Sequence, residues 1–129
     1  RVLFRSLEGH EVNVFEGGYN YFKENDGETH ILLEVHPQYY DKDNDFAAIL
    51  NKYYDIGFKI KYLIGTPSEK LIPFENAGYK PKMQAKSDGW IRSLYEDIEK
   101  EDAINFTCNL FDEVYGKKMV RSIMVSREK

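Results

Sequence analysis

A single cysteine, Cys108, excludes an internal disulfide and a zinc site of the CxxC kind, and makes a reducing cytoplasm the default setting. No apolar run approaches the roughly 18 to 20 residues that span a bilayer, and the first residues have neither the length nor the flanks of a signal peptide. No membrane association is expected on these grounds, and the sequon Asn105-Phe106-Thr107 carries no weight. Basic residues are outnumbered, 18 against 22 acidic, giving a net charge of −4 and a pI near 5.4. Polyanion binding needs clustered Lys and Arg, so no nucleic-acid partner is expected. There is no GxxxxGK[ST], no GxSxG and no HExxH, which leaves phosphate-loop, hydrolase-elbow and zincin readings without support.

The residues that are present describe one ordinary globular domain of 129 residues, 42% hydrophobic and 31% charged. Ten Tyr and eight Phe are scattered through amphipathic segments, as core and interface packing requires. Val12, Phe15, Tyr19 and Phe22 recur at spacings of three and four, predicting a helix from Gly9 to Asn25 in which Gly17 and Gly18 mark a kink or a close approach of another backbone. Ile31 to Val35 is a nearly unbroken apolar run ended by Pro37, predicting a central strand covered on both faces. Phe46, Ile49, Leu50 and Tyr53 predict a second helix, capped by Asp43, Asn44 or Asp45 and stopped by Gly57. "FKIKYLIG" then alternates, with Phe58, Ile60, Tyr62 and Ile64 on one face.

This order, with its short links, predicts a parallel sheet between helical layers. Residues 66–116 read as an irregular and helical excursion: Pro67, Pro73, Gly78 and Pro81 break periodicity. A helix capped by Asp88 follows, carrying Ile91, Leu94, Tyr95 and Ile98, and another runs from about Glu101 into the 110s. A strand from Met119 to Ser126 closes the chain as a hairpin partner for 58–64, with Lys117, Lys118 and Arg121 on a solvated face.

Ligands of open parallel sheets bind outside the carboxyl ends of the strands. Glu34 and His36 lie at such an end and, two apart in an extended chain, face the same side. Glu34 serves either a ligand or the hydrogen bonding of nearby helix N–H groups, since an unpartnered buried carboxylate is too costly. His36 is either a packing residue or a site residue. Glu8 and His10 of "LEGHE" precede the first helix and reach the same edge if a strand delivers them; otherwise they are first-turn helix residues. Imidazole and carboxylate suit several divalent ions, but the spacing of Glu8, His10, Glu34 and His36 is not diagnostic and no metal is expected. Tyr39, Tyr40 and Trp90 are candidate pocket walls, with local packing as the alternative.

"LEGHEVNVFEGGYNYFKEN", "HILLEVHP" and "ILNKYYDIGFKI" together resemble the C-terminal half of the FkbM family of S-adenosylmethionine-dependent methyltransferases, over Leu7 to about Ile64, and "VRSIMV" is similar to the family's last strand. The resemblance implies an α/β fold, the C-terminal half of a Rossmann-like class I methyltransferase sheet, with parallel strands and a final antiparallel one. It implies S-adenosylmethionine as methyl donor and a hydroxyl of a sugar or small metabolite as acceptor. On geometry, Glu34 and His36 are the candidates for a catalytic base, Glu8 and Gly9 for lining the cofactor, and His10 and Tyr39 for the acceptor.

Where the family pattern carries an Asp before Leu7-Glu8-Gly9, this chain has Ser6. Arg1 to Ser6 can be encoded by CGT GTG CTC TTC CGA TCT, which looks like the end of a sequencing-library adapter read in frame. Residues 1–6 are therefore expected to be an artefact fused to a truncated methyltransferase domain at 7–129. Setting aside Arg1 and Arg5 leaves 16 basic residues against 22 acidic, a net of −6. Truncation puts the glycine-rich donor loop upstream, so the chain by itself is expected to be inactive. It also leaves 31–35 with an unpaired edge on which Val2 to Phe4 can settle as a strand. The alternative is a non-catalytic α/β module that binds a ligand or partner; upstream sequence encoding a strand and a glycine-rich turn decides for the enzyme.

Overall fold

The computed structural model describes residues 2–5, 11–65, 72–87, 89–109, 111–112, 117–118 and 120–128. In chain order these form β1 (Val2–Arg5), α1 (Glu11–Glu24), β2 (Thr29–Glu34), a 3-10 turn (Pro37–Tyr39), α2 (Phe46–Asp55), β3 (Lys59–Gly65), α3 (Ile72–Asn76), β4 (Met83–Ser87), β5 (Trp90–Glu96), α4 (Lys100–Asn109), β6 (Phe111–Asp112), β7 (Lys117–Lys118) and β8 (Val120–Arg127). β6 and β7 make a separate two-stranded ribbon.

Both long helices follow their apolar stripes. α1 buries Val12, Phe15 and Phe22 and runs without interruption through Gly17 and Gly18. A methyl group at Gly18 would lie 3.4 Å from the Tyr53 hydroxyl and 3.3 Å from the Phe22 ring, so it is side chains that come close there, not a backbone. α2 buries Phe46, Ile49, Leu50 and Tyr53, and the Asp45 carboxylate accepts from the Ala48 amide at 3.0 Å, satisfying one of the donors that a helix N-terminus leaves open. Its other end turns through Gly57 at φ +97°, where the amides of Gly57 and Phe58 return to the carbonyls of Tyr54 and Tyr53.

The parallel, Rossmann-like sheet predicted from the sequence is not the one observed. The main sheet has the order β1-β2-β8-β3-β5-β4, and every neighbouring pair from β2 to β4 is antiparallel; only β1 lies parallel to β2. Two causes account for the difference. β8 separates β2 from β3, pairing antiparallel with each. The segment read as a helix carrying Ile91, Leu94 and Tyr95 is instead the return strand of a hairpin: Ser87 pairs with Trp90, and Gly89 just before that strand is at φ +81°, while Asp88, the expected cap, lies outside the described residues. On β5 the buried positions are Ser93 and Tyr95, a period of two. The other helix predicted in that region, from Glu101, is α4. The pairing of Val2–Arg5 with His30–Leu33 places a strand on the β2 edge, as anticipated for Val2 to Phe4.

β2 is not covered equally on its two sides. Thr29, Ile31 and Leu33 are buried while His30, Leu32 and Glu34 are half-buried. The core rows run across the sheet as Ile31–Val125–Ile60 and Leu33–Ile123–Leu63–Tyr95, and they join the buried residues of α1, α2 and α4 in one cluster. A register shift between Ile60 and Tyr62 explains why β3 departs from strict alternation: Leu63, not Tyr62 or Ile64, is its second core residue.

Candidate functional site

β2 ends at Glu34, and the Val35 amide still donates to the Arg121 carbonyl of β8 at 3.0 Å, so the strand's geometry carries up to His36. Pro37 then starts the 3-10 turn, whose closing bonds, Tyr39 N–H to the His36 carbonyl and Tyr40 N–H to the Pro37 carbonyl, fold Tyr40 back toward the strand end. Glu11 meets this turn as the first residue of α1. It lies four residues before Phe15 on the core-facing stripe, so its carboxylate is carried inside, 3% exposed.

The result is a closed polar ring. The Glu11 Oε1 atom accepts from the Tyr40 hydroxyl at 2.7 Å and from His36 Nδ1 at 2.9 Å, and the Tyr40 oxygen accepts the His36 backbone N–H at 3.1 Å. A carboxylate can only accept, so Nδ1 of His36 carries the proton of this bond. That Nε2 lies 3.8 Å from Glu34 Oε1, too far for a hydrogen bond but close enough for the two groups to feel each other's charge. Burial is the main cause pushing the Tyr40 hydroxyl far above its ordinary range, with Glu11 adding to it, so Tyr40 remains a donor. Glu11 Oε2 is buried and has no hydrogen-bond partner among the described residues.

The structure thus brings Glu34 and His36 together, as their spacing implied. Tyr39 is 53% exposed, with its ring 6.3 Å from that of His36. Glu8, Gly9 and His10 lie outside the described residues, as does the side chain of Trp90. Tyr40 is a member of the hydrogen-bonded ring rather than a pocket wall alone. The sequence reading passed over Glu11, whose phase on the Val12, Phe15, Phe22 stripe was the signal that it points inward. Among the described residues no three His, Cys, Asp or Glu side chains gather as a metal site would need.

A cleft of about 160 Å³ opens beside the Tyr40 ring, with Asp45, Phe46 and Cys108 in its wall. Burial, and secondarily Asp45, pushes the Cys108 thiol up to about 12. Burial likewise raises Tyr40 and Tyr53. These acids keep protons in the native chain that the unfolded chain releases above pH of about 8.5 for Cys and about 10 for Tyr. Their contribution to stability is complete below pH of about 8.5 and is lost progressively as the pH climbs toward 12. The urea midpoint is therefore expected to be flat from pH 7 to 8.5 and to fall above 9, with the onset moving toward 10 in Cys108→Ala. A midpoint that rises above pH 9 contradicts the assignment.

No family model, curated protein or solved structure matches the chain, so the FkbM resemblance rests on the quoted residues alone. No helix among the described residues is long and apolar enough to cross a membrane. Gly17 and Gly18 are inside α1, Gly57 closes α2 and Gly89 lies between two antiparallel strands, so none of these four builds the glycine-rich strand-to-helix turn that a methyl donor would need.

Proposed function

We propose that this chain carries the acceptor side of an S-adenosylmethionine-dependent O-methyltransferase, with His36 as the base for a hydroxyl of a sugar or other small metabolite. The observation that supports this reading is the 2.9 Å bond between Glu11 Oε1 and His36 Nδ1, which holds the ring with its Nδ1 proton on Glu11 and its Nε2 on the side of Glu34. The donor supplies the methyl group; the residues of this chain handle the proton. A hydroxyl brought within hydrogen-bond reach of Nε2 gives up its proton as its oxygen is alkylated, a task for which a positioned base contributes about 10²- to 10⁴-fold. Glu11 holds the ring and stabilises the imidazolium that forms. Glu34 stabilises that cation from the other side, and Tyr39, exposed beside His36, offers a flat apolar surface to a sugar ring. The Glu-Gly-His-Glu and "ILLEVHP" segments add the support of the resemblance.

The test is an NMR titration of the histidine-labelled chain with methyl glycosides, paired with calorimetry using S-adenosylmethionine. The expected result is a shift of the His36 Nε2 resonance larger than that of Nδ1, abolished in His36→Gln, and no micromolar heat from the donor. Micromolar donor binding by the chain overturns the division of labour. Glycoside shifts that spare His36 overturn its role.

A further inference from the structure

At the opposite end of the sheet from His36, where Lys59 pairs with Ser126 and Thr29 with Arg127, a cleft of about 270 Å³ opens between the start of β3, the residues after β5 and the start of α4. Ile60 and Ile98, both buried, form its apolar floor. Its polar wall is Tyr54, Lys59, Lys61, Asp97 and Lys100. Three cations against one anion is a reversal of the chain's overall sign, in a molecule of net charge −4.

The cations are not all neutralised. Lys61 is taken up by Glu128, which Lys59 also attracts at longer range, but neither Lys59 nor Lys100 has a carboxylate within ion-pair distance among the described residues. The Lys100 ammonium is held 5.4 Å from the centre of the Tyr54 ring, a contact that places the charge without discharging it. The Tyr54 oxygen accepts the Ile60 amide at 3.0 Å, and its own proton has no acceptor among the described residues. Burial raises the Tyr54 hydroxyl above its ordinary range, so that proton stays available. Asp97 holds a positive φ of 60°, a conformation that Asp and Asn tolerate.

We propose that this cleft binds the phosphate group of a small soluble molecule, with Lys59 and Lys100 neutralising the dianion and the Tyr54 hydroxyl donating to one of its oxygens. Two unpaired ammonium groups match a double negative charge, and lysines serve phosphate as mobile point charges. The apolar floor accommodates the group that carries the phosphate. Asp97 opposes binding and so sets an upper limit on affinity.

The experiment is a titration of the ¹⁵N-labelled chain with inorganic phosphate at pH 7.5, with ionic strength held constant by sodium chloride. Saturable amide shifts centred on Ile60, Ile98 and Lys100 are expected, weakened about tenfold in the Lys59→Ala, Lys100→Ala double variant. Asp97→Asn, which keeps the backbone conformation, is expected to tighten binding about two- to threefold. Shifts that grow linearly, that spread over lysines elsewhere, or that sodium chloride reproduces overturn the proposal. An unchanged or weaker midpoint in Asp97→Asn does so as well.

Discussion

Replacing Arg127 with methionine is expected to lower the unfolding free energy by about 3 to 5 kcal/mol, read from urea denaturation. Arg127 ends β8 and is 5% exposed, yet no carboxylate pairs with it among the described residues. Its guanidinium donates instead to four backbone carbonyls: Phe22 at 2.8 Å, Asn25 at 2.6 Å, Gly27 at 3.2 Å and Ile56 at 3.3 Å. The carbonyls of Phe22, Asn25 and Ile56 belong to the closing turns of α1 and α2, where helix dipoles leave partial negative charge and open acceptors, while that of Gly27 lies in the link to β2 and also accepts from the Thr29 hydroxyl. The cation also stacks 4.6 Å from the centre of the Phe58 ring. Methionine keeps the apolar stem but strands the carbonyls, and lysine recovers only part because one ammonium cannot span the fork. The close approach is visible at Gly57, where an added methyl group would lie 3.3 Å from Arg127 Cδ. A loss below about 1 kcal/mol would refute the assignment.

Glu11→Ala is expected to cost a similar amount, about 3 to 5 kcal/mol. The substitution leaves the His36 Nδ1–H and the Tyr40 hydroxyl as buried donors with nothing to receive them. Glu11→Gln retains an acceptor oxygen and is expected to cost about 1 kcal/mol. In a Tyr40→Phe background the alanine penalty shrinks by about 1 kcal/mol or more, because one stranded donor is already gone. Additive penalties in that cycle would mean that Tyr40 and Glu11 do not act as one unit.

Elements with a local cause were readable in advance. Asp45 caps α2 and Gly57 stops it because both devices act within a few residues of backbone. The joining of Glu34 and His36 followed from strand geometry alone. The antiparallel pairing of the last strand with 58–64 was also anticipated, but Ile123 and Val125 carry nothing in their own sequence to say that β2 lies on their other side. The Asp-Gly dipeptide before Trp90 was a local turn signal in plain view, obscured because Ile91, Leu94, Tyr95 and Ile98 also fit a helical period; the strand prevails because β3 offers Tyr95 a paired, buried place beside Leu63. Glu11 and Arg127 were missed for a common reason: charged residues are by default assigned to solvent, and both are held inside by partners distant in sequence.

The insertion of β8 also bears on how the chain is made. While residues 120–127 are still within the ribosome, β2 and β3 have no shared neighbour, and each presents a bare row of amides and carbonyls to whatever else is nearby. Maturation of the centre of this sheet must wait for translation of β8. The nascent polypeptide therefore passes through a stage at which chaperones that mask strand edges have the most to protect.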